Sequence, residues 1–507
     1  MNEPAKNSEG YITGPGGRRV PDGLILAIAC VAQFMVVLDV SIVNVALPSI
    51  GRDLKYTPSG LQWVVNAYVL TFAGFLLLGG RAADLFGRRR VYLFGLGLFT
   101  IASLVGGLAQ DSVWLTVARA AQGVGGAFLS PATLTIIVTT FPPQRLAKPL
   151  GAWAAVAGAG GAAGSILGGV LTAELSWRWV LFVNIPIGVA ATVAAMMYLT
   201  ESKRRPADGS PAPRLDVWGA LTVTGGLAAF IYAIVGTDTH AWLSSYTLSI
   251  MGVAAVLLAI FVVIQTRVRT PLVPFKLFRS RSVTGANLVM LPFGAAFFSM
   301  WYFLSLYLQD VKDYSALRAG MAFLPMAIAI IIGAQGSSRL LPKLGVRPLV
   351  VSGMAIAGGS FFWLSRIQAH SDYWPHVIAP GICMSLAVGL LFTPLASAAT
   401  SGVHHTEAGL ASGVLNTSRQ VGGSIGLAAL ATVATDRTRA ALVSHHASTS
   451  TAAALTAGFS RAFVIAGFLC VVGLIASPLI PAIRPAGARA AEREPEGSIE
   501  AAVEGAI

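Results

Sequence analysis

One carboxylate in this 507-residue sequence stands apart by its position. Asp39 falls inside the apolar stretch from Leu24 to Pro48, whereas the other acids among the 22 lie in loops, in tails or near the ends of apolar runs. A helical rise of about 1.5 Å per residue puts it roughly 25 Å from Asp22 and roughly 20 Å from Arg52. An ionised carboxylate that deep in hydrocarbon costs several kcal/mol unless it is paired or wetted, so such groups line pathways or carry protons. A simple bond to a neighbouring helix is the competing reading. Two cations also fall inside apolar runs: Arg119, roughly 12 Å beyond Asp111, and Arg419, roughly 18 Å beyond Glu407. The different depths of Asp39 and Arg119 leave their pairing open. Beyond the acid, LDVSIVNVALP adds Ser41, Asn44 and Pro48. Asn44 suits a cavity wall and a helix–helix bond equally, and Pro48 a kink.

Other chemistries are poorly served. Cys30, Cys383 and Cys470 lie far apart without CxxC spacing, which encodes neither a disulfide framework nor a zinc site. The seven histidines fall outside the apolar runs or at their edges, including the His404/His405 and His445/His446 pairs, so a histidine relay is not expected. There is no HExxH and no GxxxxGK[ST], which argues against an enzyme and against ATP hydrolysis.

The elements that must hold these residues follow from composition. Hydrophobic residues make up 55% of the chain and charged residues only 11%, where a soluble domain carries about a quarter charged. Fourteen runs reach the roughly 20 apolar residues needed to cross hydrocarbon. The first is too long for a signal-peptide core and reads as a span. The reading is therefore an all-α polytopic membrane protein: an N-terminal tail over 1–22, a six-helix bundle over 23–200, a linker over 201–215 and a two-helix insert over 216–267. A second linker over 268–282, a second six-helix bundle over 283–482 and a tail over 483–507 complete it. Residues 436–458 are expected to form the longest external connection.

Thirty-five Lys and Arg against 22 Asp and Glu leave a net charge of +13. Counted over alternating loops, roughly two dozen basic residues fall on the side of both termini and about nine on the other, which places both termini in the cytoplasm. Arg88 to Arg90, Lys203 to Arg205, Arg267, Arg269, Lys276, Arg279 and Arg281 belong to the larger set. The basic excess thus encodes orientation rather than nucleic-acid binding. Arginine outnumbers lysine 28 to 7, and with abundant Ala and Gly this points to a GC-rich bacterial genome and hence a bacterial plasma membrane.

Between the second and third runs, GGRAADLFGRRR requires a tight turn. Gly80 and Gly87 relieve steric limits there, Asp84 can cap the incoming helix and Arg88 can pair with it; a plain orienting loop is the alternative. This stretch resembles the Gly-x-x-x-Asp-x-x-Gly-Arg-Arg/Lys-Arg/Lys loop of the major facilitator superfamily. Further resemblances follow in order and point to its fourteen-span drug:proton antiporter branch. LDVSIVNVALP looks like that branch's first-helix signature with its acid at Asp39. RAAQGVGGA, 119–127, is similar to the family's Arg-x-x-Gln-Gly-x-Gly pattern, whose arginine is implicated in proton coupling. GGAAGSILGG in the fifth run resembles the antiporter signature, except that Ser165 stands where that pattern has proline. Gly160, Gly164 and Gly168 recur there every four residues as a small packing stripe. SWRWVLFVNIPIG, with Asn184, resembles the fifth-to-sixth connection of these exporters, and Trp177 and Trp179 suit the membrane interface. In the second half SRLLPKLGVR is a degraded copy of the loop signature, and NTSRQVGGSIG, with Asn416 and Arg419, resembles the branch's thirteenth span.

The resemblance implies a major facilitator fold and proton-coupled efflux of an antibiotic or toxic metabolite, with two bundles rocking around a midplane site. It implies no cofactor, no metal and no obligatory protein partner; the partners are protons, a small organic substrate and the bilayer. Asp39 and Arg119 are assigned to proton coupling. Asn44, Trp63, Asn66, Gln122, Asn184, Trp301, Asn416 and Arg419 are candidates for substrate contact, Arg419 alternatively for an interbundle seal. Gly80, Asp84, Gly87, Arg88, Gly160, Gly164 and Gly168 are candidates for conformational roles. A single deep acid suggests one proton per cycle and a neutral, monocationic or amphipathic substrate. The alternatives are an exporter of an endogenous metabolite, a proton symporter if Ser165 abolishes exchange, and, from another class, a membrane receptor or enzyme.

Overall fold

The structure, a computed structural model, describes residues 11–13, 19–142, 145–201, 215–237, 239–401, 403, 407–444 and 450–482. Most of both tails, the 201–215 linker between its end residues and the two histidine pairs lie outside the described residues.

Sixteen α-helices carry the described chain. The first group comprises α1 (Asp22–Asp53), α2 (Trp63–Phe86), α3 (Arg88–Gly107), α4 (Ser112–Thr140), α5 (Ala147–Glu174), α6 (Trp179–Phe182) and α7 (Asn184–Tyr198). Helices α8 (Val217–Gly236) and α9 (Ser245–Arg267) pack as a pair. The second group is α10 (Arg281–Leu306), α11 (Ala316–Ala322), α12 (Leu324–Leu344), α13 (Val346–Leu364), α14 (Ala379–Thr400), α15 (Ala408–Ser444) and α16 (Thr451–Ala476). Side chains start several of these helices: Asp111, Asp216 and Ser450 each accept from a backbone N–H three residues on, at 2.8, 2.8 and 3.2 Å. Asp111 and Asp216, both peripheral acids, are therefore caps.

Among the described residues, twelve helical stretches are long and apolar enough to cross a membrane, two fewer than the fourteen expected. At the two remaining places lie α5, rich in Gly and Ala, and α15, which carries Asn416, Thr417, Ser418, Arg419 and Gln420. Helix α15 runs to Ser444 and α16 begins at Thr451, so the connection expected over 436–458 shrinks to a few residues. Alanine-rich sequence that is polar on average still propagates a helix already anchored by packing. One feature departs from the all-helical expectation: Tyr11–Thr13 (β1) and Arg19–Pro21 (β2) pair antiparallel, with Val20 buried in the core.

In the first group α1 packs on α5, and α4 lies between α2 and α3. In the second, α10 packs on α15, and α14 on both α12 and α13. Helix α8 touches both α2 and α15, so the insert lies against the two bundles where these helices meet. Ion pairs sort the connections onto two faces. Asp22–Arg145, Arg90–Glu201 and Lys276–Glu407 join segments at the face of residues 22 and 482, the chain-end face. Asp53–Arg178, at 2.6 Å, belongs to the far face. There the Tyr56 hydroxyl donates to the Ser112 carbonyl at 2.6 Å, and burial pushes its pKa up to about 12, keeping it a donor. Of the two tryptophans expected at the interface, only Trp179 is exposed; Trp177 is packed and donates to Asp53 at 2.8 Å.

Candidate functional site

Asp39 has no exposed surface and Arg119 only 2%, and Arg119 Nη1 lies 2.5 Å from Asp39 Oδ2. Helical rise alone placed the two at different depths; the long guanidinium side chain bridges the offset. Gln122 Nε2 donates to Asp39 Oδ1 at 2.7 Å and Asn184 Nδ2 to the same oxygen at 3.1 Å. Arg119 Nη1 also donates to Gln122 Oε1 at 2.6 Å, its Nε to the Val64 carbonyl at 3.0 Å, and its guanidinium lies 4.4 Å from the centre of the Tyr68 ring. Ser103 Oγ accepts from both Gln122 and Asn184. The network thus draws on α1, α2, α3, α4 and α7. Residues three apart share a helix face, which is why Arg-x-x-Gln presents Arg119 and Gln122 together. Gly123 lets α4 close on α2, since a Cβ there would lie 2.3 Å from the Tyr68 carbonyl.

Four sequence candidates therefore meet: Asp39, Arg119, Gln122 and Asn184. Ser103 and the Val64 carbonyl are not anticipated, because one serine in an apolar run carries no signal of what it faces; Tyr68, one of the aromatics that could stack on an organic substrate, lies against the Arg119 guanidinium instead. A buried pair has to offset the desolvation of both ions, and removing one partner costs about 3–5 kcal/mol. Arg119→Leu is accordingly expected to lower the melting temperature of the purified protein sharply, and adding Asp39→Asn to recover most of the loss. A double variant as unstable as Arg119→Leu would show that the charge balance is irrelevant.

The other candidates lie elsewhere. Asn66 is buried and donates to Gln62 at 3.2 Å, and Trp63 packs against Tyr232 of α8 with centroids 6.3 Å apart. Asn44 is half-buried and its Nδ2 returns to the Val40 carbonyl. Its own carbonyl meets the second bundle. Pro48 has no N–H to satisfy the carbonyl four residues earlier, and Ser305 Oγ of α10 donates to Asn44 O at 2.6 Å instead. Gln309 Nε2 adds a bond to Val45 O at 2.9 Å. The glycine stripe Gly160, Gly164 and Gly168 packs against the backbone of α1. Gly169 and Ser165 on α5 meet Ala316, Leu317 and Gly320 of α11, so α5 is pressed between the bundles toward the far face. Ser165 Oγ lies 3.1 Å from Ser41 Oγ, a polar contact where the signature has proline.

At the 79–90 turn the expectations are corrected in two places. A Cβ on Gly80 would meet only Pro131 at 3.6 Å, whereas one on Gly79 would lie 2.3 Å from the Ala127 carbonyl, so the close approach belongs to Gly79. The N-cap of α3 is Gly87, with no side-chain cap bond, so Asp84 does not cap it; Asp84 lies within electrostatic reach of Arg81 on its own helix. Arg88 opens α3, and Arg89 Nη2 donates to the Met196 carbonyl at 2.8 Å, closing the end of α7. Gly87 holds φ +104° and ψ 140°, a region nearly reserved for glycine. Gly87→Ala is expected to cost about 1–3 kcal/mol. The check is the melting temperature in detergent, with an unchanged value counting against the strain.

Two helical bundles meeting along a seam, with a buried ion pair in one of them, define a polytopic membrane transporter. The family model of the Major Facilitator Superfamily matches residues 29–427, and the chain belongs to that superfamily. It is similar to the cephamycin export protein of Amycolatopsis lactamdurans, 41% identical over 90% of this chain and 92% of that protein. It is also similar to the puromycin resistance protein of Streptomyces alboniger, 38% identical over 92% of each. In fold it matches a POT family transporter, PepTSo (TM-score 0.65, 16% identity, 90% of this chain and 98% of that one). A bacterial homologue of the lysosomal transporter Spinster, in an inward-facing conformation, also matches (TM-score 0.61, 15% identity, 90% of this chain and 97% of that one).

Proposed function

We propose that this chain exports antibiotics or other amphipathic organic compounds across a bacterial plasma membrane in exchange for protons, with both termini in the cytoplasm and no cofactor. The observation that carries the reading is the sealed Asp39–Arg119 pair, set on the same helix as the far-face seam. Asp39 is five residues, about 8 Å, from Asn44 along α1. Protonation neutralises the carboxylate, releases Arg119 and loosens the hold of α4 and α7 on α1. That step follows the parting of the seam at the Asn44 and Val45 carbonyls: the proton reaches Asp39 from the far side, and the compound leaves there as the charge is lost. The protonated site then returns to the chain-end side as the seam closes, and there the proton leaves and the pair reforms. The basic residues clustered on the chain-end face support its cytoplasmic placement, and the named activities of the two relatives support export.

Inside-out vesicles test the reading. Exchange predicts that adding puromycin or a cephamycin to acid-loaded vesicles produces proton efflux as the compound enters. Cotransport, the alternative raised by Ser165, predicts that compound and protons move the same way, and either that result or no coupled movement overturns the proposal.

A further inference from the structure

Arg419 presents a different problem from Arg119. It is half-buried on α15, with Nε and Nη2 both donating to Asn416 Oδ1 at 3.2 and 2.7 Å, and lies 5.5 Å from the centre of the Phe392 ring. Among the described residues no carboxylate pairs with it. The nearest acids along α15, Glu407 and Asp436, are roughly 18 and 25 Å away by helical rise, and Asp39 is already neutralised in the other bundle. A cation held deep in a membrane protein without a countercharge is costly unless something brings one.

The surroundings say where that countercharge arrives. Phe297, Trp301, Ser305 and Gln309 recur every four residues along one side of the α10 helix and its continuation. Ser305 and Gln309 touch α1, so the same stripe one and two turns earlier faces the first bundle. Among the described residues from Phe293 to Gln309, Phe297 and Trp301 alone are incompletely buried. The stripe therefore borders space between the bundles. Phe297 joins Phe392 and Trp301 at centroid distances of 6.3 and 6.5 Å, forming an aromatic wall from Arg419 to Trp301. Trp301 Nε1 is buried with no acceptor among the described residues. Gly294, whose Cβ would meet the Arg419 carbonyl, is seven residues from Trp301, so the wall is about 10 Å long. A guanidinium at one end and an unmatched N–H at the other are both donors, with rings between.

Resting on the reading that the chain exports an organic compound, we infer that its cargo is an organic carboxylate of about 10 Å. Its carboxylate pairs with Arg419, and its apolar body lies along Phe392, Phe297 and Trp301. This narrows the amphipathic class to its anionic members and has an electrical consequence. Exchange of one anion outward for one proton inward moves two charges, each worth about fiftyfold in gradient at 100 mV, whereas a monocation would move none.

The test uses the full-length protein in proteoliposomes with cefoxitin, its methyl ester and puromycin as probes, in gradient-free counterflow and in proton-driven uptake. In counterflow, wild type is expected to move the acid at least about tenfold faster than the ester, consistent with the strength of a charge-assisted pair. Arg419→Gln should erase that preference and Arg419→Lys retain part of it, both with wild-type melting temperatures. An imposed potential should accelerate proton-driven uptake of cefoxitin, and puromycin, which has no carboxylate, should be moved no faster than the ester. If counterflow keeps the acid preference while proton-driven uptake fails, the proton-exchange reading falls and the anion site stands. An ester moved as well as the acid, a preference that survives Arg419→Gln, or no counterflow of cefoxitin overturns the inference.

Discussion

Asp39→Asn is expected to abolish energised export while leaving exchange of substrate for substrate intact. The variant keeps the shape of the carboxyl group and removes the charge, mimicking the protonated site permanently. Arg119, Gln122 and Asn184, which all donate to the carboxylate, lose the group whose charge cycles. Exchange of bound compound needs only the swing of the bundles and should persist. Accumulation driven by the gradient needs the proton to bind and leave, and at 100 mV each coupled charge is worth about fiftyfold. Steady-state accumulation in vesicles should thus fall by about that factor and lose its dependence on the pH difference. Full energised export by Asp39→Asn at normal abundance would sink the assignment of Asp39 to coupling.

The second large effect is expected at the seam. Ser305→Ala combined with Gln309→Ala removes the donors to Asn44 O and Val45 O. Because Pro48 cannot satisfy the Asn44 carbonyl within α1, that oxygen is left unpaired whenever the seam closes. Leaving a buried acceptor unsatisfied costs about 2 kcal/mol, roughly a thirtyfold shift away from the closed far face. Spin labels at Thr57 and Asp372, which lie in far-face connections of opposite bundles, report the change as a larger population at long distance. Pro48→Ala should move the distribution the same way with Ser305 intact, since the restored backbone N–H competes for the carbonyl. Distributions identical to wild type in both variants would show that these bonds do not hold the seam.

Much of this arrangement was visible in the residues alone. A carboxylate isolated in an apolar run has few physical options, so Asp39 announced itself, and the i, i+3 spacing of Arg119 and Gln122 placed both on one face of α4. The turn at Gly87 was legible for a similar reason, since it needs a backbone that side chains resist. Asp84 misled because its position before a helix suits a cap, yet α2 continues through Asp84 to Phe86 and leaves that task to the Gly87 backbone. Gly80 misled because periodicity cannot say which of two adjacent glycines faces a neighbour. Pro48 suits a kink by its residue type, but its missing N–H matters through a hydroxyl supplied more than 250 residues later.

Hydropathy, loop charge and the cost of burying a carboxylate are local properties, so the order of residues suffices for a membrane-spanning helical protein, its orientation signal and one deep acid. That Arg119 rather than Arg419 neutralises this acid, that Ser103 and Asn184 complete its shell, and that α10 closes on the carbonyl freed by Pro48 follow from the packed bundle alone. Those outcomes depend on which helix faces which across the bundle, and rotation about a helix axis is set by packing against neighbours distant along the chain.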